Sequence, residues 1–237
     1  MRTLTAVALL ANLANLANLG SLAILGLLVV PTGVQAQSPA HGAVETIHGT
    51  GAGEFTAFDD ALAGDLSDLA LGHVEAKKTE GLVLLIWGLA NFGAGIAIAA
   101  AGHEDDGWFY AGVTTASWGA INAGLSLLLL DLGGAAEAHA RQTRQLRGRA
   151  LFARRDELIA RQEGSATLFA LNAGLDIAYI VAGALLYGFG AAESPTDSAM
   201  VGVGGAILAQ GAALLAFDLF NWAGAASRGR ALREVGP

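Results

Sequence analysis

Apolar residues in this chain gather in long blocks instead of alternating with polar ones. Four blocks meet the length of about 20 residues that a helix needs to cross a bilayer. They are 81–101, 108–130, 166–190 and 200–222. Only 102–107 separates the first two, and only 191–198 lies between the last two. Connections that short force antiparallel neighbours, so the pattern predicts two helical hairpins, 81–131 and 165–224. The fold class is then all-α, a membrane four-helix bundle built from two hairpins. Between the hairpins runs a polar connection, 132–164, with Leu146, Leu151 and Leu158 spaced among its charges. That spacing predicts helix for much of its length. A basic tail, 225–237, closes the chain.

Upstream of the first block, 37–80 is polar and acidic. From Phe58 onward the apolar positions Phe58, Leu62, Leu66 and Leu69 follow helical spacing, with Asp59, Asp65 and Asp68 on other faces. This predicts an amphipathic helix at the membrane surface or against the bundle. His41, His48 and His73 have no metal-like spacing and read as solvated. Residues 1–36 carry Arg2, an apolar tract to Val30, Pro31, and the small-x-small site Val34-Gln35-Ala36. Those are the parts of a secretory signal peptide cut after Ala36. An uncleaved first span is the other reading.

The helices echo one another. Trp87-Gly88-Leu89-Ala90-Asn91-Phe92-Gly93 in the first block matches Trp118-Gly119-Ala120-Ile121-Asn122-Ala123-Gly124 in the second. Asn172-Ala173-Gly174 keeps the end of the pattern, and Gln210-Gly211 stands at the comparable place in the fourth block. The match suggests duplication of a helix or hairpin. At about 1.5 Å per residue, Asn91, Asn122, Asp176 and Gln210 each fall roughly 15 Å from the same membrane face. They predict one polar layer near the midplane. Asn172 lies one turn from Asp176 on the same face. Trp87 shares a face with Asn91, and Trp118 with Asn122. The glycines beside the amides (Gly93, Gly124, Gly174, Gly211) would let the helices approach closely.

An acidic residue inside an apolar span is costly and needs a partner. No Lys or Arg lies within any of the four blocks. Asp176 is therefore protonated, or held by amides and Tyr179. It is either a structural carboxyl or a site for a proton, a cation or a small polar ligand. Asp218 lies near the end of its helix, where it reaches the interface or pairs with Arg228. Asn221 goes with it. A carboxylate pair made of Asp176 and Asp218 would be about twelve residues of helix depth apart by register. His103-Glu104-Asp105-Asp106 reads as a solvated loop, because four consecutive polar residues cannot converge on one ion. Trp108-Phe109-Tyr110 and Trp222 have the places of interfacial aromatics.

Composition agrees with a bilayer environment. The chain is 54% hydrophobic and 14% charged, against about 25% charged in a soluble domain. Its net charge of −8 argues against nucleic acid as a partner. It has no cysteine, which removes disulfides, thiolate metal sites and a Cys nucleophile. Seven arginines lie in the connection (Arg141, Arg144, Arg147, Arg149, Arg154, Arg155 and Arg161), and the tail adds Arg228, Arg230 and Arg233. The short hairpin loops have no Lys or Arg. The positive-inside rule puts the Arg-rich end in the cytoplasm, whereas a cleaved signal peptide would invert the bundle.

The Trp87–Asn91 string, Trp118 with Asn122, Asn172-Ala173-Gly174-Leu175-Asp176 with Tyr179, and Gln210-Gly211 followed by Phe217-Asp218 together resemble a family of uncharacterised bacterial membrane proteins with four helices. The resemblance spans about 81–221 and implies no activity. The long N-terminal extension and the Arg-rich connection depart from its pattern. The expected function is a structural or partner-binding bundle in a bacterial inner membrane, touching lipid and either a second copy or another membrane protein. The alternative is binding or transport of a proton, cation or small polar solute through an oligomer, using Asp176. No HExxH or GxSxG motif occurs and no His lies in a span. No enzymatic activity, cofactor or metal is expected.

Overall fold

The computed structural model describes residues 52–235, with side chains from 57. The signal-peptide reading of 1–36 lies outside those residues. Five α-helices and one short 3-10 turn make up the regular structure: α1 (Ala52–Ala101), α2 (Asp106–Leu129), α3 (Ala135–Gln142), the 3-10 turn Thr143–Gln145, α4 (Arg149–Ala192) and α5 (Ser198–Glu234). All regular structure among the described residues is helical.

α1 is 50 residues long, or about 75 Å at 1.5 Å per residue. That is more than twice the hydrocarbon thickness of a bilayer, about 30 Å. Its two halves therefore do different work. The first half carries Leu62, Leu66, Ala70 and Val74 at three- and four-residue spacing. They are buried against Leu151 and Leu158 of α4, Leu232 of α5 and Ala140 of α3. The amphipathic helix read from Phe58 thus packs against the bundle and runs unbroken into the apolar half of α1. Phe58 itself is exposed. The Arg-rich connection becomes α3, the 3-10 turn and the first turns of α4, with Leu151 and Leu158 pointing into this same core. Gly134 and Gly148 take positive φ, 66° and 54°, at the starts of α3 and α4, where a side chain would be strained.

α1, α4 and α5 each carry a stretch long and apolar enough to cross a membrane. α2 does not, although the sequence pattern made it the second of four spans. Thr114, Thr115, Ser117, Asn122, Ser126 and several glycines dilute its hydropathy. It packs along α1 on one side and α5 on the other. Asp105 caps it, accepting from Trp108 N at 3.1 Å, and Asp197 caps α5 by accepting from Met200 N at 3.0 Å.

Paired glycines set the helix contacts. Gly88 and Gly95 of α1 meet Gly119 and Gly112 of α2. Gly183 of α4 meets Gly204 of α5, flanked by Gly190 and Gly211. On every one of these helices the two glycines are seven residues apart, which returns them to one face after about two turns. A Cβ on Gly88 would stand 2.5 Å from Ala123 N, and one on Gly183 2.6 Å from Leu208 N. The backbones touch there, as close-packed apolar helices without water between them require. This corrects the sequence expectation. Gly93, Gly124 and Gly174 have open space at their Cβ positions, and only Gly211 of the four glycines beside the amides sits in a contact. In the repeated string, the glycine after the tryptophan makes the approach.

Candidate polar layer inside the bundle

The antiparallel α4–α5 pair fixes a register in which Gly211 lies beside Asp176 and Ile180. Asp218, seven residues further along α5, then sits about 8 Å from Asp176 along the axis. On a helix the Cα–Cβ bond tilts toward the N-terminus. In an antiparallel pair these two tilts converge, which turns the carboxyls of Asp176 and Asp218 toward each other. Both residues are buried, at 4% and 6% exposure. The twelve-residue separation counted from the sequence is therefore overturned. So is the pairing of Asp218 with Arg228, because Arg228 is engaged elsewhere.

A second link crosses from α5 to α1. Gln210 donates from Nε2 to Asn91 Oδ1 at 2.5 Å. Asn91 in turn donates from Nδ2 to the Trp87 carbonyl at 2.8 Å, one turn back. Asn122 of α2 is buried, and its Nδ2 has no partner among the described residues. Gln210 Oε1 and Asp176 Oδ2 are likewise buried without a partner among the described residues. Asn221 is buried too, but returns its Nδ2 to the Phe217 carbonyl at 2.9 Å. Asn172 is half-buried and makes no side-chain hydrogen bond among the described residues. Among the described residues Asp176 makes no hydrogen bond to the amides or to Tyr179 expected from the sequence, and the register turns it toward Asp218.

The aromatics divide. Trp118 of α2 and Tyr179 of α4 pack edge to face, with ring centroids 5.1 Å apart and planes at 75°. Trp87 remains 39% exposed. It borders a cleft of about 190 Å³ with Leu84 and Phe217. Among the described residues, no group of three or more His, Asp or Glu side chains is placed to hold a metal ion.

A second polar cluster, which the sequence reading missed, joins α1, α4 and α5 just beyond the Arg-rich end of the apolar runs. Arg228 donates from Nη2 to Glu80 at 3.3 Å and from Nε to Gln162 Oε1 at 3.2 Å. Glu80 is buried, and burial pushes its carboxyl up against the opposing pull of Lys77 and Arg228. Burial also lowers the Lys77 ammonium. His73, read from the sequence as solvated, is half-buried with an unpartnered Nδ1. Burial, helped by Lys77, Arg228 and Arg161, brings its pKa down to about 4. The signal available in the sequence was positional, since Glu80 and Arg228 flank different apolar blocks at the same end.

These features define an all-helical protein with three helices able to cross a membrane and a buried polar layer between them. A model for a family of unknown function, DUF6992, matches residues 83–219, and the chain belongs to that family. The matched region takes in all of α2, α3 and α4, and every residue of the layer except Asn221. Comparison with curated proteins and with solved structures finds no match.

Proposed function

We propose that this is a multi-pass protein of a bacterial inner membrane, in which α2 joins the three apolar helices to make a four-helix bundle. The buried polar layer sets the register of its two hairpins for assembly or for docking a membrane partner. We read no enzymatic role into it. The observation that supports this most is the Gln210–Asn91 hydrogen bond, which ties the second hairpin to the first at mid-helix. Asp176 and Asp218 are both buried between α4 and α5 at the neighbouring level. Interhelical polar contacts of this kind contribute about 0.6–2 kcal/mol each in a membrane. Side chains on this scale choose one register among several apolar alternatives.

A second reading has its own support. Asp176 Oδ2, Gln210 Oε1 and Asn122 Nδ2 are buried and unpaired, and buried polar atoms without partners are uncommon. They suit a layer that takes up a proton, a cation or a small polar solute, with oligomerisation completing a path. Asp176→Asn separates the readings. The structural role predicts that the variant inserts, folds and supports the same assembly, because an amide of the same shape fills the same place beside Asp218. The binding role predicts normal folding with loss of proton or cation flux in reconstituted vesicles. Release of the chain from membranes by alkaline carbonate would defeat both.

A further inference from the structure

Between α4 and α5, at the Arg-rich end, lies a groove of about 540 Å³. Gln162, Glu163 and Thr167 line one wall, and Gly229, Arg230 and Arg233 the other. Gln162 is only 1% exposed, and its Nε2 donor has no partner among the described residues. Its Oε1 is already taken by Arg228. The unpaired group on this wall is thus a donor, suited to an acceptor ligand. Arg233 bridges the groove to Glu163. Arg155 pins the backbone beneath it, donating to the carbonyls of Leu232 at 3.0 Å and Arg233 at 2.8 Å. Arg230 is exposed and has no acidic partner among the described residues. The mouth therefore presents one free guanidinium, a second held by a single exposed carboxylate, and a hydroxyl.

Position supplies the ligand class. Thr167 opens the apolar run of α4, and Arg230 lies eight residues past Trp222 at the close of that of α5. A long side chain on a helix leans back toward its N-terminus, which for Arg230 is toward the apolar run. A guanidinium fork matches phosphate oxygens, and basic pockets between helices at the cytoplasmic boundary suit anionic headgroups. We propose that the groove is a phosphate site that holds the headgroup of an anionic phospholipid, with Arg230 and Arg233 clamping the oxyanion and Thr167 and Gln162 donating to it. The lipid source rests on the membrane reading above, whereas the phosphate chemistry does not.

The test uses the full chain purified in detergent, with retention of phosphatidylglycerol or phosphatidylcholine followed by native mass spectrometry. Wild type should retain phosphatidylglycerol at least fivefold better. Arg230→Gln and Arg233→Gln should bring that preference close to one, while Arg144→Gln, which removes an exposed arginine paired with Asp68, should leave it unchanged. Equal losses from Arg144→Gln would mean diffuse surface charge and overturn the site. Unaltered preference in Arg230→Gln and Arg233→Gln would overturn it as well. Millimolar inorganic phosphate is the second arm. If it stabilises the wild type and not Arg230→Gln while neither lipid is preferred, the phosphate site stands and its lipid source is refuted. Carbonate extraction reports separately on the membrane reading.

Discussion

Asp176 of α4 and Asp218 of α5 are two buried carboxyls that face each other from antiparallel helices. Neither has an ion-pair partner among the described residues, so each carboxyl has chiefly the other for a polar neighbour in an apolar interior. Removing one partner of a buried polar pair costs about 1–3 kcal/mol, more than removing both. Asp176→Leu should therefore lower stability in detergent by about that amount. Asp176→Asn should stay close to wild type, and Asp176→Leu with Asp218→Leu should recover part of the loss. Thermal unfolding of the three variants measures this. A double variant that is simply the sum of its single losses would show the two residues to be uncoupled.

Gly119 and Gly124 lie five residues apart on α2 and should respond oppositely to alanine. A Cβ on Gly119 runs into the backbone of Phe92 and Gly88, whereas one on Gly124 meets nothing within 4 Å. Gly119→Ala should destabilise by about 1–3 kcal/mol, as overpacking does. Gly124→Ala should be neutral or gain up to about 1 kcal/mol from helix propensity. Chemical denaturation of the two variants compares them directly, and equal effects would mean the α1–α2 contact lies on another face.

The His73 imidazole gives stability a pH dependence. In the unfolded chain it takes up a proton near pH 6.5, but in the folded chain only near 4. Protonation therefore favours unfolding. The contribution is fully present above about pH 6.5 and is lost as pH falls toward 4. Melting temperatures taken from pH 7.5 to pH 4.5 should drop more steeply for wild type than for His73→Gln. Parallel curves would rule out this assignment.

Arg228 should matter more than any exposed arginine. Its replacement by alanine leaves Glu80 buried without a cation and Gln162 without its donor. Loss of one partner of a buried pair costs on the order of 3–5 kcal/mol, reduced here because Arg228 is a quarter exposed. Arg144→Ala, which breaks an exposed pair, should cost less than about 1 kcal/mol. Comparing the two unfolding midpoints is enough, and a similar shift in both would show that Glu80 is not dependent on Arg228.

Apolar blocks and short connections made the helices legible from the sequence, because a run of that length has few other solutions. Leu62, Leu66, Leu151 and Leu158 could likewise be read as core from their spacing alone. What failed was finer. Counting depth along Cα positions separated Asp176 from Asp218, because it ignored the register and the opposed tilt of the side chains. The amides drew attention to the glycines next to them, while the true contacts recur every seventh residue (88 with 95, 112 with 119, 183 with 190, 204 with 211). Length and composition support three of the four spans read from block length, because hydroxyls and an amide dilute the apolar character of α2. Glu80, Gln162 and Arg228 are distant in sequence, and only the packing of three helices reveals them as one cluster.

The absence of cysteine from the chain makes the central claim directly measurable. Asn91→Cys with Gln210→Cys places a pair at the bond between the hairpins, and oxidation in native membranes should cross-link it within a single chain. Gly93→Cys with Gln210→Cys, in which the first position looks onto open space, should stay unlinked. Efficient linking of the second pair and none of the first would contradict the layer and the packing built on it.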